Sequence, residues 1–385
     1  MSDERREPVV TATTELVSRA SENPPGKEQA VATWLVDRLD DSPVPFTVKS
    51  EPVAPDQPNV VARTGDPERG SVLLTGHTDV VPANADDWTT DPYEPTVRDG
   101  RLYGRGTADM KGAIGAMIVA TERYCKRTDA PGEVVLGFVV DEEHRGAGMQ
   151  AFVDSGLEAD VAVVGEPTDL DVCTATKGVA RYEAVVKGES CHSGQPDEGQ
   201  NAIRGLRELI ARVEALDDEL ESTTHSVLAH EDITVTEVTG GLAPNIVADS
   251  ATATIDWRCL PGETEPGPLD DRIHGALADL RVDGAALSVA LNRTVFARAG
   301  ETDPDHRIVT ATLGAARKRG IDAEVIGFDA ATDARFLIHD AEIPTVHFGP
   351  GSLTEDAHTV DESVAVADLV AATAVYEEVL SRTLR

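Results

Sequence analysis

Sulfur, long apolar runs and positive charge are all scarce in this sequence. Four cysteines in 385 residues, Cys125, Cys173, Cys191 and Cys259, are widely spaced and form no C-x-x-C pair. Neither a thiolate zinc site nor a disulfide framework is therefore expected, and the four read as small buried hydrophobes. The longest candidate for a membrane span, Gly112 to Ala120, is less than half of the ~20 apolar residues that a bilayer crossing needs. Met1 to Glu7 is polar and charged and lacks the apolar core of a secretory signal, so a chain that stays in the cytoplasm is expected.

Lysine and arginine together number 34 against 69 aspartates and glutamates, a formal charge of −35. Such a surface repels nucleic acid and anionic membranes, which removes both as expected partners. Only seven of the basic residues are lysine, and acidic pairs recur along the chain (Asp40 and Asp41, Asp86 and Asp87, Asp217 and Asp218, Asp270 and Asp271). This composition suits a halophile, because self-repulsion is screened within about 3 Å at 1 M salt. The melting temperature should accordingly rise between dilute and molar potassium chloride; a flat or falling profile would contradict the reading.

The length suggests two or three domains, and 41% hydrophobic residues suffice for a substantial core. Ala30, Val31, Trp34, Leu35 and Leu39 recur at helical spacing after the turn Asn23-Pro24-Pro25-Gly26. Short β-branched runs at Asn59 to Ala62, Ser71 to Thr75, Glu133 to Val140 and Val161 to Val164 then alternate with helical stretches such as Met110 to Tyr124. That alternation predicts an α/β sheet with largely parallel strands. From Gly178 to Leu291 the order becomes strand, helix, strand, strand, helix, strand, the split β-α-β pattern of ferredoxin-like folds. After it come a helix at Arg307 to Lys318, strands at Ala323 to Ile326 and Pro344 to Phe348, and a terminal helix from Glu362 to Leu384. The expected organisation is α/β: a mixed-sheet catalytic domain at 1–177 and 292–385, interrupted at 178–291 by an inserted α+β lid or dimerisation domain.

In open α/β sheets, ligands gather beyond the carboxyl ends of the strands. Three strand ends deliver histidine and carboxylates there: Gly76-His77-Thr78-Asp79, Asp141-Glu142-Glu143 and Gly165-Glu166-Pro167. Asp109 starts the helix after Gly104-Arg105-Gly106-Thr107-Ala108, and His358 lies in a loop ahead of the last helix. Two histidines and several carboxylates without a thiolate suit borderline-to-hard divalent cations, with zinc, cobalt and manganese all admissible. Carboxylates converging on one edge would repel each other unless positive charge sat between them.

The stretches GHTDVVP (Gly76 to Pro82), GRGTADMKG (Gly104 to Gly112), DEEHRGAG (Asp141 to Gly148), GEPT (Gly165 to Thr168) and AHTVDE (Ala357 to Glu362), in this order, resemble a family of metal-dependent amide hydrolases. That family comprises aminoacylases, carboxypeptidases, acetylornithine deacetylases and succinyl-diaminopimelate desuccinylases. The resemblance implies a two-metal site, of zinc by preference, in which Asp109 bridges, His77 and Glu166 complete one position, and Glu143 and His358 complete the other. Asp79 would orient His77, Glu142 would be the general base, and a cis peptide would follow Asp109. His192, in Cys191-His192-Ser193-Gly194, matches the family's oxyanion donor, which typically comes from a neighbouring subunit of a homodimer. Asn245 and Arg258 resemble positions that hold a substrate carboxylate, Arg258 through its planar fork, and Gly351 in Gly349-Pro350-Gly351 would offer backbone donors. Thr332-Asp333-Ala334-Arg335-Phe336 leans towards the desuccinylases, whereas Lys177-Gly178-Val179 is closer to the deacetylase and carboxypeptidase branches, which leaves the subgroup open.

The function expected is cleavage of the amide of an N-acyl amino acid, with a carboxypeptidase or dipeptidase as the alternative. A non-catalytic metal protein would keep the ligands but have no need of Glu142. His144, His225, His230, His274, His306, His339 and His347 are expected to have no role.

Overall fold

A computed structural model describes residues 3–129, 131–262 and 265–384. The chain forms two compact units, Met1–Thr174 with Glu301–Ile326 and Thr332–Arg385, and Ala175–Gly300 with Gly327–Ala331.

The first unit is mixed α/β, organised around a sheet whose strands run in the order Thr47–Ala54, Gln57–Thr64, Gly132–Val139, Asp66–His77, Val161–Val164, Thr345–His347, Val172–Thr176. Its four central strands are parallel, and antiparallel pairing occurs on either side of them. Gly132–Val139 is buried at every position, as a strand covered on both faces must be. The two-residue repeat sorts its side chains between two cores. Val72, Leu74, Val134, Leu136, Val161 and Val163 face the helices Lys111–Arg127, Arg307–Lys318 and Val366–Thr383. Leu73, Val135, Ala162 and Val164 face Met149 and Phe152 of the helix Ala147–Asp154 and Leu337 of Ala334–His339.

Several elements differ from the sequence reading. A helix at Asp3–Val17 was not anticipated in a Thr-rich, β-branched segment. It buries Val9, Ala12, Thr13 and Leu16, at helical spacing, and Thr13 sits in that face because its hydroxyl donates to the Val9 carbonyl at 2.9 Å. The last helix starts at Val366 rather than Glu362, since Ser363–Ala365 is a strand paired with Arg101–Tyr103. Cys173 and Cys259 are buried, but Cys125 and Cys191 only partly so, and none of the four forms a disulfide.

In the second unit the helices Ala202–Leu220 and Gly267–Leu277 pack on an antiparallel sheet ordered Asp232–Gly240, Ser250–Cys259, Gly178–Lys187, Ser288–Ala297. That order is what β-α-β-β-α-β connectivity gives when each crossover skips one strand. Trp257 is fully buried, with its indole N–H donating to Glu231 Oε2 at 3.0 Å. Among the described residues no helix is long and apolar enough to cross a membrane.

His347, at the end of Thr345–His347, is 2% exposed with Nε2 at 2.8 Å from Thr332 Oγ1. Burial pushes its pKa down from 6.5 to about 4. The folded chain keeps this ring neutral while the unfolded chain takes up a proton near 6.5, so stability is lost as pH falls from there towards about 4. A His347→Gln variant should show a shallower loss of stability over that interval in denaturant melts; equal slopes would contradict the assignment.

Candidate metal centre and catalytic site

The parallel strands end side by side, which brings their following residues together at one edge of the sheet. His77 closes its strand and is 2% exposed. Asp109, 5% exposed, precedes the helix Lys111–Arg127, and its peptide bond to Met110 is cis. Its carboxylate lies between two imidazoles: Oδ1 is 3.0 Å from His77 Nε2, and Oδ2 is 3.2 Å from His358 Nε2. His358 Nε2 is also 2.9 Å from Glu143 Oε1. Ligand atoms of His77, Asp109 and Glu143 all lie within 4.8 Å of one another. Glu166, 5% exposed, follows the strand Val161–Val164.

Asp79 ties two of these strand ends together. His77 Nδ1 is 3.0 Å from the Asp79 backbone carbonyl and 3.6 Å from its carboxylate. The carbonyl is thus the nearer partner of the ring. The carboxylate instead accepts the backbone N–H groups of Glu142 at 3.3 Å and Glu143 at 3.1 Å, and the Asn23 amide at 3.1 Å. Asn23 also donates to Asp141 Oδ1 at 2.8 Å. Asp141 and His358 both adopt left-handed backbone, φ 66° and 59°, a conformation that non-glycine residues hold mainly where surrounding contacts enforce it.

The electrostatics record the crowding of acids. Burial raises Glu166 to about 8, with the charges of Asp109 and Glu143 adding to it and His77 opposing. Burial, and then the charge of Asp333, holds Glu142 well above the usual carboxylate range, against the pull of His77. Hydrogen bonds to Asp109 and Glu143 lift His358 to about 10. Burial alone would lower His77 and raise Asp109, but the hydrogen bond to Asp109 holds His77 high, and hydrogen bonds from His358 and then His77 hold Asp109 below its usual range. Acids crowded in this way favour positive charge among their oxygens, which a divalent cation held by the two imidazoles and the carboxylates would supply. The donor set, two imidazole nitrogens and several carboxylates free of thiolate, fits divalent zinc, cobalt or manganese.

Other candidates lie in the second unit. His192 is exposed, and its Nδ1 accepts the Gly194 N–H at 3.0 Å, which leaves Nε2–H as a donor in the neutral ring. Asn245 is exposed nearby, its carbonyl accepting the Ser193 N–H at 3.0 Å. Arg258, on Ser250–Cys259, has Nε at 2.7 Å from Asp256 Oδ1, and Asp256 also receives Arg181. Gly351, in the first unit, is buried with φ 85°, and a Cβ there would lie 2.9 Å from the Ala108 Cβ.

The sequence reading gave no role to Asn23, Asp141, Asp333 or Glu362. Asn23 marks a turn ahead of a helix in the sequence, and the other three stand inside the stretches Asp141 to Gly148, Thr332 to Phe336 and Ala357 to Glu362. Their signal was the stretch itself, since nothing in residue type or spacing separates a ligand from the residue that orients it.

The profile of Peptidase family M20/M25/M40 matches residues 73–382. An acetylornithine deacetylase from Proteus mirabilis is 32% identical over 345 residues, covering 88% of this chain and 84% of the relative. One from Salmonella paratyphi B is 33% identical, covering 82% of each. Among solved structures, a tripeptidase from Staphylococcus aureus superposes with a TM-score of 0.79 at 21% identity, covering 98% of both chains. A dinuclear metal binding peptidase of the M20 family from Bacillus subtilis gives 0.75 at 15% identity, covering 100% and 99%.

Proposed function

This chain belongs to peptidase family M20/M25/M40 and is a metal-dependent amide hydrolase, and from that premise we propose that it cleaves the amide of an N-acyl amino acid. The observation that carries the reading is the Asp109 carboxylate held between His77 and His358, with Glu143 against His358. The likeness to acetylornithine deacetylases over 88% of the chain supports N-acetylated amino acids as substrates.

His77 and Glu166 would hold one divalent ion and Glu143 and His358 the other, with Asp109 shared. Two such ions supply Lewis acidity to the scissile carbonyl and lower the pKa of the attacking water. Glu142 takes the proton of that water and passes it to the leaving amine as the C–N bond breaks. Burial and Asp333 raise its affinity for the proton, while each positive charge beside it, His77 included, works in the opposite direction. Asp79 holds the backbone of Glu142 and Glu143, so it fixes both base and ligand. His192, through an Nε2–H donor, stabilises the oxyanion, across subunits in a homodimer. Arg258 with Asn245 meets the substrate carboxylate, in which case Asp256 serves to hold the guanidinium in place. Gly351 offers a backbone donor to the substrate. The chain acts in the cytoplasm on small molecules.

Solved peptidases of like fold, a carboxypeptidase and a dipeptidase among them, favour a second reading, removal of a carboxy-terminal residue or cleavage of a dipeptide. A hydrolysis screen of N-acetylornithine, N-succinyl-diaminopimelate and dipeptides with zinc, cobalt or manganese separates the two. Acyl amino acids should be cleaved with the higher kcat/KM; a preference for dipeptides would overturn the substrate assignment and leave the metal chemistry standing.

A further inference from the structure

Glu362 stands four residues beyond His358 and is 1% exposed. Its carboxylate accepts four hydrogen bonds. Oε1 takes the backbone N–H groups of Ala108 at 2.8 Å and Asp109 at 3.1 Å; Oε2 takes the Gly106 N–H at 3.0 Å and the Arg105 guanidinium at 2.6 Å. The Glu362 carbonyl accepts the Gly104 N–H at 2.9 Å. Directly after it, Ser363–Ala365 pairs antiparallel with Arg101–Tyr103, with Ser363 opposite Tyr103. Two loops that carry candidate ligands, 104–109 with Asp109 and 357–362 with His358, are therefore joined at their shared root.

We propose that Glu362 is a positioning residue that fixes Asp109 between His77 and His358, so that the shared ligand is in place before a cation arrives. The proposal rests on the reading of Asp109 as a ligand common to two ions. A buried Arg–Glu pair would alone be weak evidence of anything beyond itself. Here only one of the four bonds goes to Arg105. The other three go to backbone donors of the segment that ends in Asp109, and three converging N–H groups make a pocket for an anion. A carboxylate suits the place because both oxygens must accept; a glutamine would turn two N–H donors towards Gly106 N–H and the guanidinium.

The test compares the native chain with Glu362→Gln and Arg105→Met. Each is stripped of metal and titrated with cobalt, read by visible absorbance, and with zinc against a chelating dye; melting temperatures are recorded alongside. Glu362→Gln should weaken metal binding by roughly 10–100-fold, the range for lost outer partners of ligands, and change the cobalt spectrum. Arg105→Met also loses the ion pair but keeps the three backbone bonds, so its affinity should fall by less than the roughly 10-fold that marks a lost outer partner. If Glu362→Gln is too unstable to purify, the double variant R105L/E362M, which removes both buried charges, should show the same loss of affinity. Equal weakening by Arg105→Met and the Glu362 variants, or native affinity and spectrum without Glu362, would overturn the proposal. A native chain that binds no cobalt would instead overturn the two-metal reading itself.

Discussion

Glu142→Ala is expected to lower turnover by at least about 10²-fold while metal content stays at the native level. The expectation follows from the division of labour in the cluster. None of His77, Asp109 and His358 contacts the Glu142 side chain by a hydrogen bond or ion pair in the structure, whereas His77 and His358 each contact Asp109 and His358 also contacts Glu143. Glu142 is held through its backbone N–H by Asp79, so truncating its side chain leaves the Asp79 bridge to Glu143 intact. Deleting an acid whose charge is already disfavoured by burial and Asp333 also relieves repulsion. Metal analysis beside steady-state kinetics checks both halves. Near-native turnover would remove Glu142 from the chemistry, and loss of metal would make it a ligand.

Asp109→Ala should do the opposite, abolishing metal binding and activity together. Its two oxygens face different imidazoles at 3.0 and 3.2 Å, so one truncation strips both positions of their common partner. Loss of an outer partner alone costs roughly 10–100-fold in metal affinity or activity, and removing a ligand shared by two positions should exceed that range. A variant that still binds two equivalents of cobalt and hydrolyses substrate within tenfold of native would refute a shared role for Asp109.

The α/β alternation and the β-α-β-β-α-β insertion were legible because apolar spacing follows directly from which face is buried. The strand Val161–Val164 is a four-residue apolar run, buried throughout, with bounds visible in the sequence. The Asp3–Val17 helix was not legible, since Thr13 fills an apolar position only by satisfying its hydroxyl on the Val9 carbonyl. The start of the last helix was misplaced because Ser363–Ala365 is a strand through pairing with Arg101–Tyr103, a partner over 250 residues away that no local propensity reveals.

In the site, the identity of the clustered side chains could be read from strand ends and from family resemblance. Orientation could not. That the Asp79 carbonyl is nearer to His77 than its carboxylate, or that Asn23 bridges Asp79 and Asp141, depends on tertiary geometry at distances near 3 Å.

The most direct test is activity against metal equivalents, using chelator-stripped protein and N-acetylornithine. The account predicts no hydrolysis without metal and a rise on adding zinc, cobalt or manganese that reaches its plateau at about two equivalents per chain, as a site with one shared carboxylate requires. Full hydrolysis by the stripped protein, unaffected by added metal, would contradict it.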